Sequence, residues 1–215
     1  AFEMVDNEKV RSFMPDLILT VGNVTADYLR ALSPLYGERM VVLGSLRRVV
    51  MDRSCPMPNA SILVALSSSF SEALRLVVLL NRCSGYIDIP VIIRSHPTIP
   101  INELFDSLVW PSNITLSKGV ELIDDISSVS LVVYSSATVS LEGMLYGRLP
   151  IFVDIADVPD GDPLIGNCPV KYTVNFNRSL PDVINEYISL GKNVREELSR
   201  EAIKYAMQYL QEMDR

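Results

Sequence analysis

Ser135, Ser136 and Thr138 bring three hydroxyls together directly after the apolar run Leu131-Val132-Val133-Tyr134. A strand feeding a helix through such a turn offers those hydroxyls together with the free N–H groups of the first helical turn, which is an anion site by construction. The helix is expected to begin near Ser136. The same residue types also serve simply as helix caps. A second group, Arg94-Ser95-His96-Pro97, follows another apolar run and holds the chain's one histidine. An imidazole there can donate to a phosphate oxygen or carry a proton, and Arg94 offers a planar fork to a carboxylate or phosphate. Taken alone, a His-Pro pair satisfies loop carbonyls just as well. Glu142 follows Ser136 at a spacing that puts it between one and two turns into the expected helix. There it could accept from the vicinal hydroxyls of a ribose, or lie on a solvated face.

These groups need a scaffold that brings them to one edge. Strands are expected over 17–21, 40–43, 62–66, 90–94, 114–116, 131–134, 151–153 and 170–174. Helices are expected over 24–32, 71–81, 102–107 (capped by Asn102), 120–126, the segment after Ser136, 181–190 and 193–213. Gly147 and Pro150 suit the end of the helix that carries Glu142. Continuous apolar strands alternating with helices argue for an α/β fold, a Rossmann-like parallel sheet with helices on both faces. In such sheets ligands sit beyond the carboxyl ends of the strands. That rule selects Ser67-Ser68-Ser69, Arg94-Ser95-His96, Ser117-Lys118-Gly119, Ser135-Ser136 and Asp154.

Composition narrows the ligand class. The 215-residue chain is 48% hydrophobic and 21% charged, an ordinary globular balance, and its formal net charge of −7 disfavours nucleic acid as a partner. One small phosphate ligand remains compatible with that sign. No segment has the length of apolar chain that a bilayer span needs, so a transmembrane segment is not expected, although peripheral membrane association stays compatible. The N-terminus lacks signal-peptide order. Cys55, Cys83 and Cys168 are scattered and form no metal-ligand pattern; with no secretion signal the four Asn-x-Ser/Thr triplets, at Asn23, Asn59, Asn113 and Asn177, read as chance, and a cytoplasmic setting fits. Asp154, Asp157, Asp160 and Asp162 crowd one loop without the order of an EF-hand, so no metal is expected. Neither the dinucleotide fingerprint nor the P-loop pattern occurs.

Arg94-x-His96-Pro97, followed by Ser135-Ser136-x5-Glu142-Gly143-x3-Gly147-x2-Pro150, resembles the donor-binding half of GT-B glycosyltransferases. It is most similar to bacterial capsule and surface-carbohydrate transferases with HP and SS motifs, of the polysialyltransferase-, Kdo-transferase- and CDP-glycerol-transferase-like kinds. The opening PDLILTVGNVTADYLRAL and ERMVVLGSLR resemble the segment by which such proteins cross between their two domains. The resemblance implies residues 1–60 as crossover segment and linker, and 61–215 as a Rossmann-like domain binding a nucleotide-activated sugar, with no cofactor besides that donor. His96 would then contact the donor phosphate, and Ser135, Ser136 and Thr138 would hold phosphates. Glu142 would hold the ribose, Lys118-Gly119 would border the base, and Ser67, Ser68 and Ser69 would approach the diphosphate or acceptor. The Asp-rich loop would be a mobile element beside the donor sugar.

Such enzymes use a further N-terminal half that holds the acceptor and often the catalytic base. No residue here reads as that base, and the chain alone is expected to be inactive. A UDP-N-acetylglucosamine 2-epimerase-like protein is the nearest rival, disfavoured by the lone histidine. A non-catalytic nucleotide-sugar-binding module is the rival from another class.

Overall fold

The computed structural model describes residues 15–45, 58–155 and 161–213. The leading segment 1–14, most of the expected linker, Cys55, Asp157 and Asp160 lie outside them.

Six strands form one sheet: β3 (Ile62–Ala65), β4 (Val91–Arg94), β5 (Ile114–Leu116), β6 (Leu131–Tyr134), β7 (Leu149–Val153) and β8 (Tyr172–Val174). Their spatial order is β5-β4-β3-β6-β7-β8, and every pair is parallel. This is the doubly wound order 3-2-1-4-5-6, with its topological switch between β3 and β6. All four residues of β3 and all four of β6 are buried, as continuous apolar runs at the centre of a covered sheet require. A separate parallel pair, β1 (Ile18–Thr20) and β2 (Met40–Val42), is connected through α1 (Asn23–Leu32) and the short α2 (Pro34–Gly37).

The helices follow from their apolar stripes. In α3 (Phe70–Cys83), Ala73, Leu76, Val77 and Leu80 are buried at i, i+3, i+4 and i+7. The same spacing buries Leu180, Val183, Ile184 and Tyr187 in α7 (Leu180–Ser189), and Ala202, Tyr205, Ala206 and Tyr209 in α8 (Lys192–Tyr209). Beyond α8 the chain returns to the small sheet: Gln211 donates to the Val21 carbonyl at 3.0 Å and Ser45 to the Gln211 carbonyl at 2.6 Å. Val194 and Met213 stay exposed on the same stripe that buries Tyr205 and Tyr209.

Four local expectations need correction. The helix after β6, α6 (Val139–Leu145), starts three residues later than its hydroxyls suggest, with Thr138 as N-cap and no side-chain cap. Ser135 and Ser136 belong to the turn before it. The helix α4 (Asn102–Asp106) begins at Asn102, and its N-cap is Ile101. The turn expected over 120–126 is α5 (Leu122–Ser128), set two residues on by a capping box between Glu121 and Asp124. Finally, β7 includes Pro150. The Leu149 N–H donates towards β6, so the next N–H position faces the β8 side, where pairing begins only at Ile151; the missing donor of Pro150 costs the ladder nothing there.

Two glycines fix how α6 sits. A Cβ on Gly143 would meet Val132 Cγ2 on β6 at 2.8 Å, so this position lets helix and sheet touch. Gly147 has φ +74° and closes the helix, as the sequence suggests; a Cβ there would meet Ser199 Oγ of α8 at 2.0 Å.

Candidate functional site

The strand registers align the candidate residues. Ala65 pairs with Arg94 and Val64 with Val133, so two and three residues further on Ser67, His96 and Ser136 leave the sheet at one level. Ile93 pairs with Leu116, which adds Gly119 to the row, and Tyr134 pairs with Phe152, which adds Asp154. The five loops selected from sequence therefore form one line along the carboxyl edge. Ser67 and Ser136 flank the switch point itself, where the chain departs in opposite directions and opens a crevice.

Each position has its own local cause. Ser67 is buried, and its Oγ accepts from the Ser69 N–H at 3.1 Å, which closes the turn into α3. Ser68 is exposed at the tip, and Ser69 Oγ lies 3.1 Å from Ser71 Oγ. The Thr98 N–H points at His96 Nδ1 at 3.3 Å, and the Thr98 hydroxyl lies 2.7 Å from the same nitrogen. A backbone N–H can only donate, so Nδ1 accepts and the neutral ring carries its proton on Nε2. That N–H is the donor available to a ligand.

Arg94 meets a carboxylate, one of the two partners its planar fork suits, within the protein. Its Nη1 pairs with Asp125 Oδ2 at 2.6 Å and donates to the carbonyls of Gly119 at 3.2 Å and Glu121 at 3.3 Å, while Nη2 reaches the Val120 carbonyl at 3.2 Å. Ser117 Oγ also donates to Asp125 Oδ2, at 2.6 Å, and accepts from the Gly119 N–H. The guanidinium thus takes a carboxylate partner within the protein and ties down the 117–121 loop. Lys118 is exposed on that loop and Gly119 half-buried.

The Ser135-Ser136 turn meets a residue that sequence reasoning passed over. Glu72 in the first turn of α3 is only 8% exposed. Its Oε2 accepts from Ser135 Oγ at 3.5 Å and, in a short hydrogen bond, from Ser136 Oγ. The signal was present as Ser69-x-x-Glu72, a capping-box spacing. That pattern foretells a local bond back to Ser69, yet Ser69 receives no side-chain cap. The carboxylate is drawn instead across the switch point. Glu142 stands in the first turn of α6, half-buried, and Thr138 is exposed. Thr138 and Leu141 border a cleft of about 390 Å³ that is also lined by Leu19 of β1 and by Leu43 and Ser45, which follow β2.

The aspartate loop divides. Asp162 is buried; its Oδ1 accepts from the Tyr134 hydroxyl and the Leu164 N–H, each at 2.9 Å, and its Oδ2 pairs with Lys171 at 2.6 Å. Burial and the adjacent Asp162 carboxylate push the Tyr134 phenol far up. Asp162 is therefore an anchor for the chain after β7. Among the described residues no group of three or more His, Cys, Asp or Glu is arranged to hold a metal, and no helix is long and apolar enough to cross a membrane.

No family model matches this chain, and no curated protein sequence does. Solved structures do match. The glycotransferase of kitacinnamycin superposes at TM-score 0.54 with 16% identity, covering 89% of this chain and 52% of its own. CalG4, the calicheamicin glycosyltransferase, gives TM-score 0.56 at 14% identity over 93% and 52%. The wall teichoic acid polymerase TagF, in a histidine-to-alanine variant, gives 0.56 at 12% over 91% and 54%. The chain spans about half the length of these proteins. Its fold is the Rossmann-like α/β fold of GT-B glycosyltransferases.

Proposed function

We propose that this chain is the donor-binding half of a GT-B glycosyltransferase that uses a nucleotide-activated sugar in cytoplasmic synthesis of a surface polysaccharide. The observation that carries the reading is the single row of Gly119, His96, Ser67 and Ser136 at the carboxyl edge, centred on the switch point of a sheet with this fold. His96 offers Nε2–H to a donor phosphate, and the turn 135–138 supplies the phosphate site. Glu142 takes the ribose, the 117–121 loop held by Arg94 borders the base, and Ser67 to Ser69 face the diphosphate or the acceptor. Leaving-group charge would be met by hydrogen-bond donors already in place. A TagF variant soaked with CDPG is among the solved structures of like fold, which supports an activated donor and a cell-wall polymer.

The small sheet supports a second half. Leu19 is 53%, Val41 47% and Leu43 43% exposed, and the register puts all three on one face of a two-stranded parallel sheet. Parallel strands are normally covered on both faces and continued at their edges. We take β1 and β2 as part of a larger domain that brings acceptor and catalytic base. Titration calorimetry with CMP, CDP, UDP and their sugar conjugates tests the donor half. Binding of one series, weakened at least tenfold by His96→Ala and Ser136→Ala, is expected on the scale of one or two charge-assisted hydrogen bonds. No binding of any nucleotide would refute the reading. Binding that both variants leave unchanged would refute the site.

A further inference from the structure

We infer that Glu72 competes with the donor phosphate for the hydroxyl proton of Ser136, and so sets how tightly the nucleotide is held. The inference rests on the donor-site reading and deepens it.

The proton count carries it. A serine hydroxyl has one proton to donate, and a carboxylate only accepts. The Ser136 hydroxyl donates to Glu72 Oε2, and Ser135 Oγ donates to the same oxygen at 3.5 Å. An anionic phosphate oxygen is an acceptor as well. Ser136 can therefore serve Glu72 or a phosphate, but one at a time. For the donor to gain this hydrogen bond, the bond across the switch point has to open.

Charge and burial sharpen the competition. Glu72 is 8% exposed and stands in the first turn of α3, where the helix dipole favours an anion. A phosphate that accepts from Ser136 Oγ lies no further from Glu72 Oε2 than two hydrogen-bond lengths, beside a buried group that water screens little. Like charges at that range disfavour each other. Removing the carboxylate then has two opposed effects: it loosens the turn before α6, and it releases the Ser136 proton. The turn has other supports. All four residues of β6 are buried on one side of it, and Gly143 seats α6 closely against Val132 on the other. Release of the proton to a charged ligand is therefore the larger effect.

Titration calorimetry on the full chain with CMP, CDP and UDP tests this, with the folding of each variant checked by thermal denaturation. Glu72→Gln removes the charge and leaves an amide that can donate to Ser136 Oγ. It is expected to bind the nucleotide about tenfold more tightly, the scale of one hydrogen bond to a charged group. Glu72→Ala removes the acceptor outright and should show the same gain if the Gln variant folds poorly. In a Ser136→Ala background there is no Ser136 proton to release, so Glu72→Gln should keep only about a twofold gain from the lost like charge. Unchanged or weaker binding in Glu72→Gln overturns the inference alone, since Glu72 would then support the phosphate turn. A gain of the same size with and without Ser136 also overturns it, since loss of charge would suffice without competition. No binding of any nucleotide to the unaltered chain overturns the donor-site reading and this inference with it.

Discussion

Ser136 donates its hydroxyl proton to Glu72, a residue 64 positions earlier, across the switch point between β3 and β6. The bond joins the first turn of α3 to the turn before α6, so the two loops that leave the central strands in opposite directions are held as one unit. Breaking it should loosen the crevice more than the sheet. Ser136→Ala removes one part-buried bond to a carboxylate and should lower stability by about 1–2 kcal/mol in urea denaturation, without change in the m-value. A changed m-value would mean that the turn supports the fold more widely.

The Arg94–Asp125 pair holds the loop expected to border the base. Asp125 is nearly buried, at 7% side-chain exposure, whereas Arg94 retains 20%. Asp125→Ala leaves the guanidinium without its anion and Ser117 without its acceptor. A loss of about 2–3 kcal/mol is expected, toward the low end for breaking a buried pair because Arg94 can reach water. Arg94→Ala combined with Asp125→Ala should cost less than the sum of the single changes. Simple additivity would mean that the pair does not act as a unit.

Gly143 sets the distance of α6 from the sheet. Gly143→Ala forces a methyl to within 2.8 Å of Val132 Cγ2 and should destabilise by about 1–3 kcal/mol through overpacking. Val132→Ala in the same chain opens that space, so the double variant should recover part of the loss. Thermal denaturation of the four combinations measures the coupling.

Acid should act on α7. The Ser179 hydroxyl and N–H hold the Asp182 carboxyl below its ordinary range. A carboxyl with a lowered folded value contributes stability that is complete above its unfolded value and disappears as the pH falls through the folded one. Ser179→Ala should therefore lower Tm at neutral pH, and the gap to the parent should narrow below about pH 4. A gap independent of pH would contradict the capping arrangement.

Burial pushes the Cys83 thiol up to about 11. The thiolate is the reactive form, so alkylation of Cys83 at pH 7 should run on the order of 100-fold slower than for a free cysteine and accelerate above pH 9. Mass spectrometry of the peptide carrying Cys83 reads this directly.

Much of the architecture is legible in the chain itself. Runs such as Ile62-Leu63-Val64 and Leu131-Val132-Val133 cannot be half-exposed, so a covered parallel sheet follows, and the polar residues after each run fall on one edge of it. Less was legible wherever a tertiary partner overrides a local pattern. Ser69-x-x-Glu72 has the spacing of a cap, but its carboxylate is taken by Ser136. Arg94 in the His-Pro motif suggests an anion ligand from outside, and Asp125 supplies the anion from within. Ser135 and Ser136 suggest helix caps, although α6 starts at Val139. Sequence fixes which polar groups reach the edge; only the packed structure says which of them are already engaged.

The most direct test is hydrogen exchange on the full chain with and without the nucleotide-sugar that binds it. Added protection is expected in 67–72, 95–99, 117–121 and 135–142, the segments along the carboxyl edge. Protection centred instead on the groove of about 1200 Å³ between α3 and α7, lined by Arg82, Asn185 and Pro181, with the edge segments unchanged, would contradict the assignment.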